Sequence, residues 1–200
     1  YLGQLAEEGK RSDEALTYYR QVGTGEHYLP AQIRSANLLS KAGQPEAARK
    51  QLHEAAELDP KQGVQFLIAE AALLRDARQT EAALDLLERA LSTQPEQPDL
   101  LYESALLAEK LGRVELLESR LRKLIELQPE NAQAYNALGY SYADRNMRLP
   151  EARQLIEKAL QLAPNDPFIL DSMAWVLYRQ GDLEGALSLS HPRASRGVGQ

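Results

Sequence analysis

Apolar side chains recur three or four residues apart over most of this chain, which is the spacing that gathers them on one face of an α-helix. Turn residues interrupt the pattern at short intervals, with glycine after some helical segments (Gly43, Gly112) and proline after others (Pro60, Pro95). Alternating strand-like runs do not appear, and Val, Ile and Thr are scarce. The pattern therefore predicts an all-α chain of short amphipathic helices joined by tight turns.

The helical pattern is also periodic. Pro60, Pro95, Pro129 and Pro164 lie 35, 34 and 35 residues apart, and each is followed by the same apolar phase. This periodicity predicts a helical array over residues 1–190, with a partial unit at 1–28, full units at 29–62, 63–97, 98–131 and 132–166, and a partial unit at 167–190. Residues 191–200 lack the pattern, and we expect them to be disordered or non-native.

The unit at 132–166 carries the clearest motif. Its defining residues are Tyr135, Leu138, Gly139, Tyr142, Ala152, Ile156, Ala159 and Pro164. This order of large, small and turn residues resembles the tetratricopeptide repeat, a helix–turn–helix unit of about 34 residues. The resemblance implies a right-handed α-α superhelix, a tetratricopeptide solenoid of antiparallel helix pairs in which each unit contacts only its neighbours.

Small residues are expected where two helices cross closely, because packed helix axes approach to about 8–10 Å. The spacing assigns this role to Ala36, Ala105 and Gly139, and in the unit at 63–97 the repeat pattern includes Phe66 and Ala69. The unit at 98–131 departs from the family, since Leu117 and Leu124 replace its usual alanines, and we expect its helices to be pushed apart or tilted. Acidic or amide residues after each proline, such as Asn131 and Asp166, are predicted to cap the next helix.

In proteins of this family the first helix of each unit lines an inner groove. Leu106, Tyr140 and Trp175 occupy equivalent positions of successive units, 34 and 35 residues apart. The resemblance predicts a groove that binds partner polypeptides through Tyr102, Leu106, Asn136, Tyr140, Phe168, Asp171, Trp175 and Tyr178. The alternative is that Tyr140 and Trp175 pack into the core against the next helix.

The carboxylate-clamp members of the family hold a terminal carboxylate with Lys, Asn and Arg on the inner face. Asn37 matches one of these sites, but Asp99 and Glu103 stand at others. Carboxylates there would repel an acidic peptide tail, so a clamp is not predicted on the inner face.

Net charge, cysteine content and the length of apolar runs exclude several kinds of partner and site. The net charge is −6 and Lys and Arg form no long cluster, which argues against nucleic acid as a partner. The absence of cysteine excludes disulfides and thiolate metal sites, and no apolar run approaches the roughly 18 residues of a membrane span. The chain starts at Tyr1 inside an apparent helix, without a targeting signal, so we expect a fragment or a processed protein.

Candidate catalytic residues are sparse. His27, His53 and His191 lie in different segments and are predicted to be solvated rather than to share a metal. The Gly23-Thr24-Gly25 run follows no strand and lacks the lysine of a phosphate-binding loop, and no Gly-x-Ser-x-Gly elbow occurs. The sequence therefore predicts a non-catalytic protein without a metal or cofactor.

The segments 136–187 and 102–113 resemble a subgroup of bacterial outer-membrane lipoproteins built of these repeats. One member of that subgroup is the adaptor of a carboxy-terminal processing protease. The resemblance implies a periplasmic adaptor that activates such a protease and recruits cell-wall hydrolases as its substrates; the anchoring cysteine would lie upstream. Two alternatives remain open: a structural part of an envelope or polysaccharide-export assembly, and a regulatory domain of a larger enzyme. Exposed end helices would also permit self-association.

Overall fold

The computed structural model describes residues 1–190, and within them the chain is helical throughout, without a strand. Two compact units follow one another, the first at Tyr1–Leu111 and the second from Gly112 onward. The helices of the first unit are α1 (Leu2–Glu8), α2 (Ser12–Arg20), α3 (Tyr28–Lys41), α4 (Pro45–Leu58), a 3-10 helix (Pro60–Gln62), α5 (Gly63–Asp76), α6 (Thr80–Thr93) and α7 (Pro98–Lys110). Those of the second are α8 (Val114–Leu127), α9 (Ala132–Asp144), α10 (Leu149–Leu162), α11 (Pro167–Arg179) and α12 (Leu183–Ser190).

Consecutive helices pack as pairs in both units. In the first unit α1 packs on α2, α3 on α4 and α5 on α6, while in the second α9 packs on α10 and α11 on α12. Glycine allows the sharp turns inside several pairs, because Gly43 and Gly181 adopt positive φ angles of 76° and 85° that other residues rarely reach. The prediction of an all-α chain is confirmed; the prediction for 191–200 concerns residues outside the described range.

Buried alanine and leucine side chains fill the contacts between neighbouring helices. On α4, Ala48, Leu52 and Ala55 are almost fully buried, and the second helices of other pairs bury residues at the same spacing. This spacing of three and four residues places one continuous apolar stripe against the adjacent helices. Leu117 and Leu124 of α8 are buried as well, so the larger side chains that replace alanine there lie inside the core of the second unit.

In the unit at 63–97 the fully buried small residue of α5 is Ala71, which lies 34 residues before the buried Ala105. Of the two pattern residues on this helix, Phe66 is buried and Ala69 is half-buried. The same register buries Glu70, although a charged residue is rarely expected in a core.

Glu70 is tolerated because two groups on α4 bind its carboxylate. Arg49 Nε donates to Oε1 at 2.8 Å, and His53 Nε2 lies 2.5 Å from Oε2. The carboxylate itself has no exposed surface. His53, predicted to be solvated, has a side chain that is 58% exposed, in agreement with the prediction, and its ring is in addition paired with this carboxylate. Buried charges of this kind persist only when they are paired and hydrogen-bonded.

In the second unit, α9 and α10 approach closely at Gly139. A Cβ atom placed on Gly139 would lie 2.7 Å from Ile156 Cγ1 and 2.9 Å from the backbone oxygen of Ala152. Ordinary carbon contacts need about 3.5–4.0 Å, so only glycine fits at this crossing without displacing one helix. The helices that follow the loops are capped as predicted at two places, since the side chains of Asn131 and Asp166 accept backbone N–H groups of α9 and α11.

We expect Gly139→Ala to lower the free energy of unfolding by about 1–2 kcal/mol, because the added methyl group is forced against a rigid backbone oxygen. Chemical denaturation followed by far-ultraviolet circular dichroism, which reports the helices of both units, measures this change. Gly63→Ala is the matched control: Gly63 starts α5 with nothing within 4 Å of its added Cβ, so no loss of stability is expected. Equal stability of the two variants would contradict the close crossing.

Candidate partner-binding site

The residues predicted to line the groove in the second unit lie on α9 and α11. Tyr140 is 43% exposed, Phe168 73% and Tyr178 53%, while Asn136 and Trp175 are half-buried. The alternative in which Tyr140 is a core residue does not agree with this exposure. Exposed aromatic side chains are typical of binding surfaces.

Three of the predicted residues line one pocket between α11 and α12. Asp171, Trp175 and Tyr178 form its α11 side, and the pocket has a volume of about 520 Å³. Its other lining residues are Ala174, Leu183, Ala186 and Leu187. Asp171 is the one ionisable acid in this lining, and it has no hydrogen bond or ion pair within the described part of the chain. We call this site the α11–α12 pocket.

Sequence reasoning missed the α12 side of this pocket. Leu183 and Leu187 are 56% and 63% exposed, although they are four residues apart on one helix face. In this family the first helix of each unit lines the groove, so the family pattern does not predict binding residues on a second helix such as α12. A usable signal was present: the equivalent of Leu187 in the preceding unit is Arg153, 34 residues earlier, so an apolar side chain replaces an exposed cation.

Trp175 is held in place by two neighbours on its own helix. Its ring stacks on Tyr178 with centroids 5.4 Å apart and an interplanar angle of 22°, and the Arg179 guanidinium lies 5.5 Å from its centroid. Stacking and cation–π attraction each contribute on the order of 1 kcal/mol. The indole is therefore preorganised, which reduces the conformational entropy that it would lose on contact with a partner.

Two polar atoms of this surface are buried without a hydrogen-bond partner in the described residues, namely the indole Nε1 of Trp175 and Oδ1 of Asn136. One is a donor and the other an acceptor, and they lie on α11 and α9, which pack together. An unsatisfied buried polar atom costs about 1–3 kcal/mol. Any water molecule or partner group that reached one of these atoms would remove that cost.

The remaining predicted residues, Tyr102 and Leu106, belong to α7 in the first unit and are half-buried. Burial raises the pKa of Tyr102, and the nearby Glu103 carboxylate raises it further. Burial likewise raises the pKa of Glu103; Arg75 opposes this shift and Asp99 adds to it. Both shifts follow from the half-buried positions of Tyr102 and Glu103. The role of all eight predicted residues in binding stays a prediction.

Residues 1–190 contain no group of three or more His, Asp or Glu side chains arranged to hold a metal ion. None of the helices described here combines the length and the apolar character needed to cross a bilayer.

Comparison with known proteins identifies the repeat. The model of the tetratricopeptide repeat family matches residues 68–116 and 118–167. Residues 68–116 and 118–167 are tetratricopeptide repeats. A curated TPR repeat-containing protein of Pseudomonas aeruginosa is 45% identical over 185 residues, which is 92% of this chain and 31% of the relative. The chain spans about a third or less of the length of the curated relatives it matches.

Solved structures share the fold. MamA of Desulfovibrio magneticus, solved from its residue 41 to the end, superposes with a TM-score of 0.63 at 20% identity, covering 84% of this chain and 93% of the solved MamA chain. YrrB, described as a TPR protein with an unusual peptide-binding site, gives a TM-score of 0.58 at 23% identity, covering 80% of this chain and 81% of YrrB. At these identities the comparison concerns the fold alone, and it confirms the prediction of an all-α tetratricopeptide solenoid.

Proposed function

We propose that this chain is a docking module for partner polypeptides and that its second unit contributes the α11–α12 pocket to the docking surface. The observation that carries the proposal is the convergence of Asp171, Trp175 and Tyr178 with exposed leucines of α12 on one pocket. Tetratricopeptide repeats generally act as protein-binding scaffolds because stacked helix pairs present extended surfaces. The peptide-binding site for which YrrB is described supports the same kind of role.

The chemistry of the pocket suits the apolar side chain of a peptide. Trp175 and Tyr178 provide rigid aromatic area, and residues of these types account for much of the binding energy at protein interfaces. Asp171 adds one carboxylate to the lining, which favours a basic group next to the inserted side chain. The surface is therefore suited to partner segments that combine an aliphatic or aromatic residue with Lys or Arg.

We further propose a specific setting for this function: a periplasmic adaptor, anchored to the outer membrane as a lipoprotein, that binds a carboxy-terminal processing protease and recruits cell-wall hydrolases to it. Two observations support this proposal. Residues 136–187 resemble such lipoproteins, and the chain is 45% identical to a TPR repeat-containing protein of Pseudomonas aeruginosa over 185 residues. The chain itself would supply contacts rather than catalysis.

The test measures binding of the purified carboxy-terminal processing protease, encoded by the same genome, to three forms of this chain by biolayer interferometry. We expect the unaltered chain to bind and the double variant Tyr140→Ala, Trp175→Ala to bind at least about tenfold more weakly, because two aromatic contacts are lost. Tyr1→Ala is the control, since Tyr1 is 89% exposed and lies in the first unit. Circular dichroism must show the same helical content in all three.

Two results would count against the proposal. Equal binding by the double variant would show that the surface on α9 and α11 is not the docking site, even if the protease is the partner. No binding by the unaltered chain would reject the protease as the partner. In that case the docking surface would need a different polypeptide.

A further inference from the structure

A second cleft lies in the first unit, where α2 is unusually short. α2 has 9 residues, whereas α4 and α6, the second helices of the following pairs, have 14 each. The chain then runs through a linker to the start of α3 at Tyr28, and a cleft of about 590 Å³ opens between this linker, α3 and α4. It follows α4 from Gln44 to Leu58, a length of roughly 20 Å at 1.5 Å per residue.

The floor of the cleft is a network of side-chain amides. Gln51 Nε2 donates to Gln32 Oε1 at 2.8 Å and approaches the backbone oxygen of Gln32 at 3.4 Å. Ser35 Oγ donates to Gln51 Oε1 at 3.1 Å. A backbone oxygen can only accept, so the nitrogen of Gln51 must face Gln32, and Gln32 must present its oxygen in return. The Gln32 amide therefore has a fixed orientation.

In this orientation the oxygen of the Gln32 amide is used by Gln51, and its NH₂ group remains available on the cleft side. Gln32 lines the cleft although the residue is only 7% exposed, and its Nε2 donates no hydrogen bond to any residue in 1–190. Buried polar groups in folded proteins almost always have partners. Because Gln32 lines the cleft and its amide donor lacks a protein partner among the described residues, this donor is available to an acceptor that enters the cleft from outside.

The charges around the cleft agree with an anionic acceptor. Lys50 Nζ lies 3.7 Å from Glu54 Oε1, so the acidic side chain of the lining is already paired. Arg20 also lines the cleft, and its guanidinium has no ion-pair partner in the part of the chain that the structure describes. Arg20 therefore leaves the ionisable side chains of the lining with one uncompensated positive charge, and the Thr24 hydroxyl adds a further donor.

We propose that this cleft binds a carboxylate-bearing segment of a partner polypeptide, with the carboxylate accepting from the Gln32 amide and the Arg20 guanidinium. The cleft length of roughly 20 Å would accommodate about six residues of extended chain. The site does not depend on the α11–α12 pocket. It also differs from the inner face predicted from the sequence, because Asn37 is not part of its lining. The carboxylate comes from an acidic side chain or from a chain terminus.

Nitrogen-15 NMR of the full chain tests this proposal by following the Gln32 side-chain NH₂ resonances, assigned by their loss in Gln32→Met. Three hexapeptide probes are titrated: one with internal glutamates and both ends capped, its glutamine counterpart, and an alanine–leucine peptide with a free carboxyl terminus. A saturable shift with the capped glutamate peptide or with the free-terminus peptide supports the proposal and identifies the source of the carboxylate. No saturable shift with either, or an equal shift with the glutamine peptide, overturns it.

A pair of matched variants tests the role of the charge. Arg20→Gln removes the unpaired cation. We expect the carboxylate-bearing peptide that binds the unaltered chain to bind this variant about tenfold more weakly, because a charge-assisted hydrogen bond is lost. Lys61→Gln removes the same charge from an exposed residue outside the cleft lining and should leave the affinity unchanged. Both positions are exposed, so neither variant should alter the fold. Equal affinities of the two variants overturn the proposed contact with Arg20.

Discussion

Replacing Leu138 by alanine is expected to lower the free energy of unfolding by about 2–5 kcal/mol. Leu138 has no exposed surface and lies on α9, which packs on both α10 and α11. Removal of its side chain loses the transfer free energy of three carbon atoms and leaves a cavity, because the adjoining helices are linked on both sides and cannot close the gap fully. Urea denaturation of the unaltered chain and the variant measures the difference.

The single tryptophan makes this measurement specific. Trp175 is the only tryptophan in the sequence and belongs to the second unit, so its fluorescence reports the unfolding of the unit that contains Leu138. Leu187→Ala is the matched control, since Leu187 is 63% exposed in the same unit and its truncation should change the stability by no more than about 0.5 kcal/mol. A comparably small effect for Leu138→Ala would contradict its role in the core.

We expect Glu118→Gln to destabilise the second unit by about 2 kcal/mol at pH 7, and by progressively less in acid. Glu118 Oε1 accepts from Arg122 Nε and from Arg148 Nη1, each at 2.8 Å. Burial alone would raise the pKa of Glu118, but hydrogen bonds from Arg122, Tyr142 and Arg148 outweigh it and lower the pKa from its ordinary 4.5 to about 2. These contacts join α8, α9 and the start of α10 around the fully buried Tyr142.

The direction of the pH dependence follows from this lowered pKa. In the folded chain the carboxylate holds its charge down to about pH 2, whereas the unfolded chain takes up the proton near 4.5. The stability that Glu118 contributes is therefore complete above pH 4.5 and is lost as the pH falls to about 2.

Denaturation of the unaltered chain and of Glu118→Gln at pH 7, 4 and 2.5 checks this expectation, because the two stability curves should converge in acid. Glu157→Gln serves as the control. It removes a carboxylate from a surface pair with Arg153 at 2.8 Å, in which both side chains are nearly half exposed, so its effect should not exceed about 0.5 kcal/mol. A constant difference between the chain and Glu118→Gln at all three pH values would contradict the charged role of Glu118.

The architecture could be predicted from the sequence because its signals are local and repeated. Prolines recur every 34 or 35 residues. Gly139 lies where two helices cross closely, and a unit of this family needs a small side chain at that crossing. The same period gives Ala71, which lies 34 residues before Ala105, but it does not explain how the adjacent Glu70 can be buried. That burial depends on Arg49 and His53, which contact the Glu70 carboxylate from another helix.

The candidate sites were predictable only in part, for a similar reason. Asp171, Trp175 and Tyr178 follow from the helical repeat on α11, because residues three or four apart share a face. The contribution of Leu183 and Leu187 depends on how α12 lies against α11, which is a tertiary relation. The amide network of Gln32 and Gln51 likewise forms between two helices, α3 and α4. No pattern in the sequence distinguishes these two glutamines from the exposed glutamines of the chain.

The pairing of Glu70 with Arg49 and His53 bears on how such an array can change during evolution. Repeat proteins grow by duplication of whole units, and a duplicated segment is viable only if its surfaces match those of its new neighbours. A copy of α5 inserted after a helix that lacks these partners would bring an uncompensated anion into the core, at a cost of several kcal/mol. The units of this chain are therefore not interchangeable parts, and their order along the polypeptide is itself constrained by chemistry.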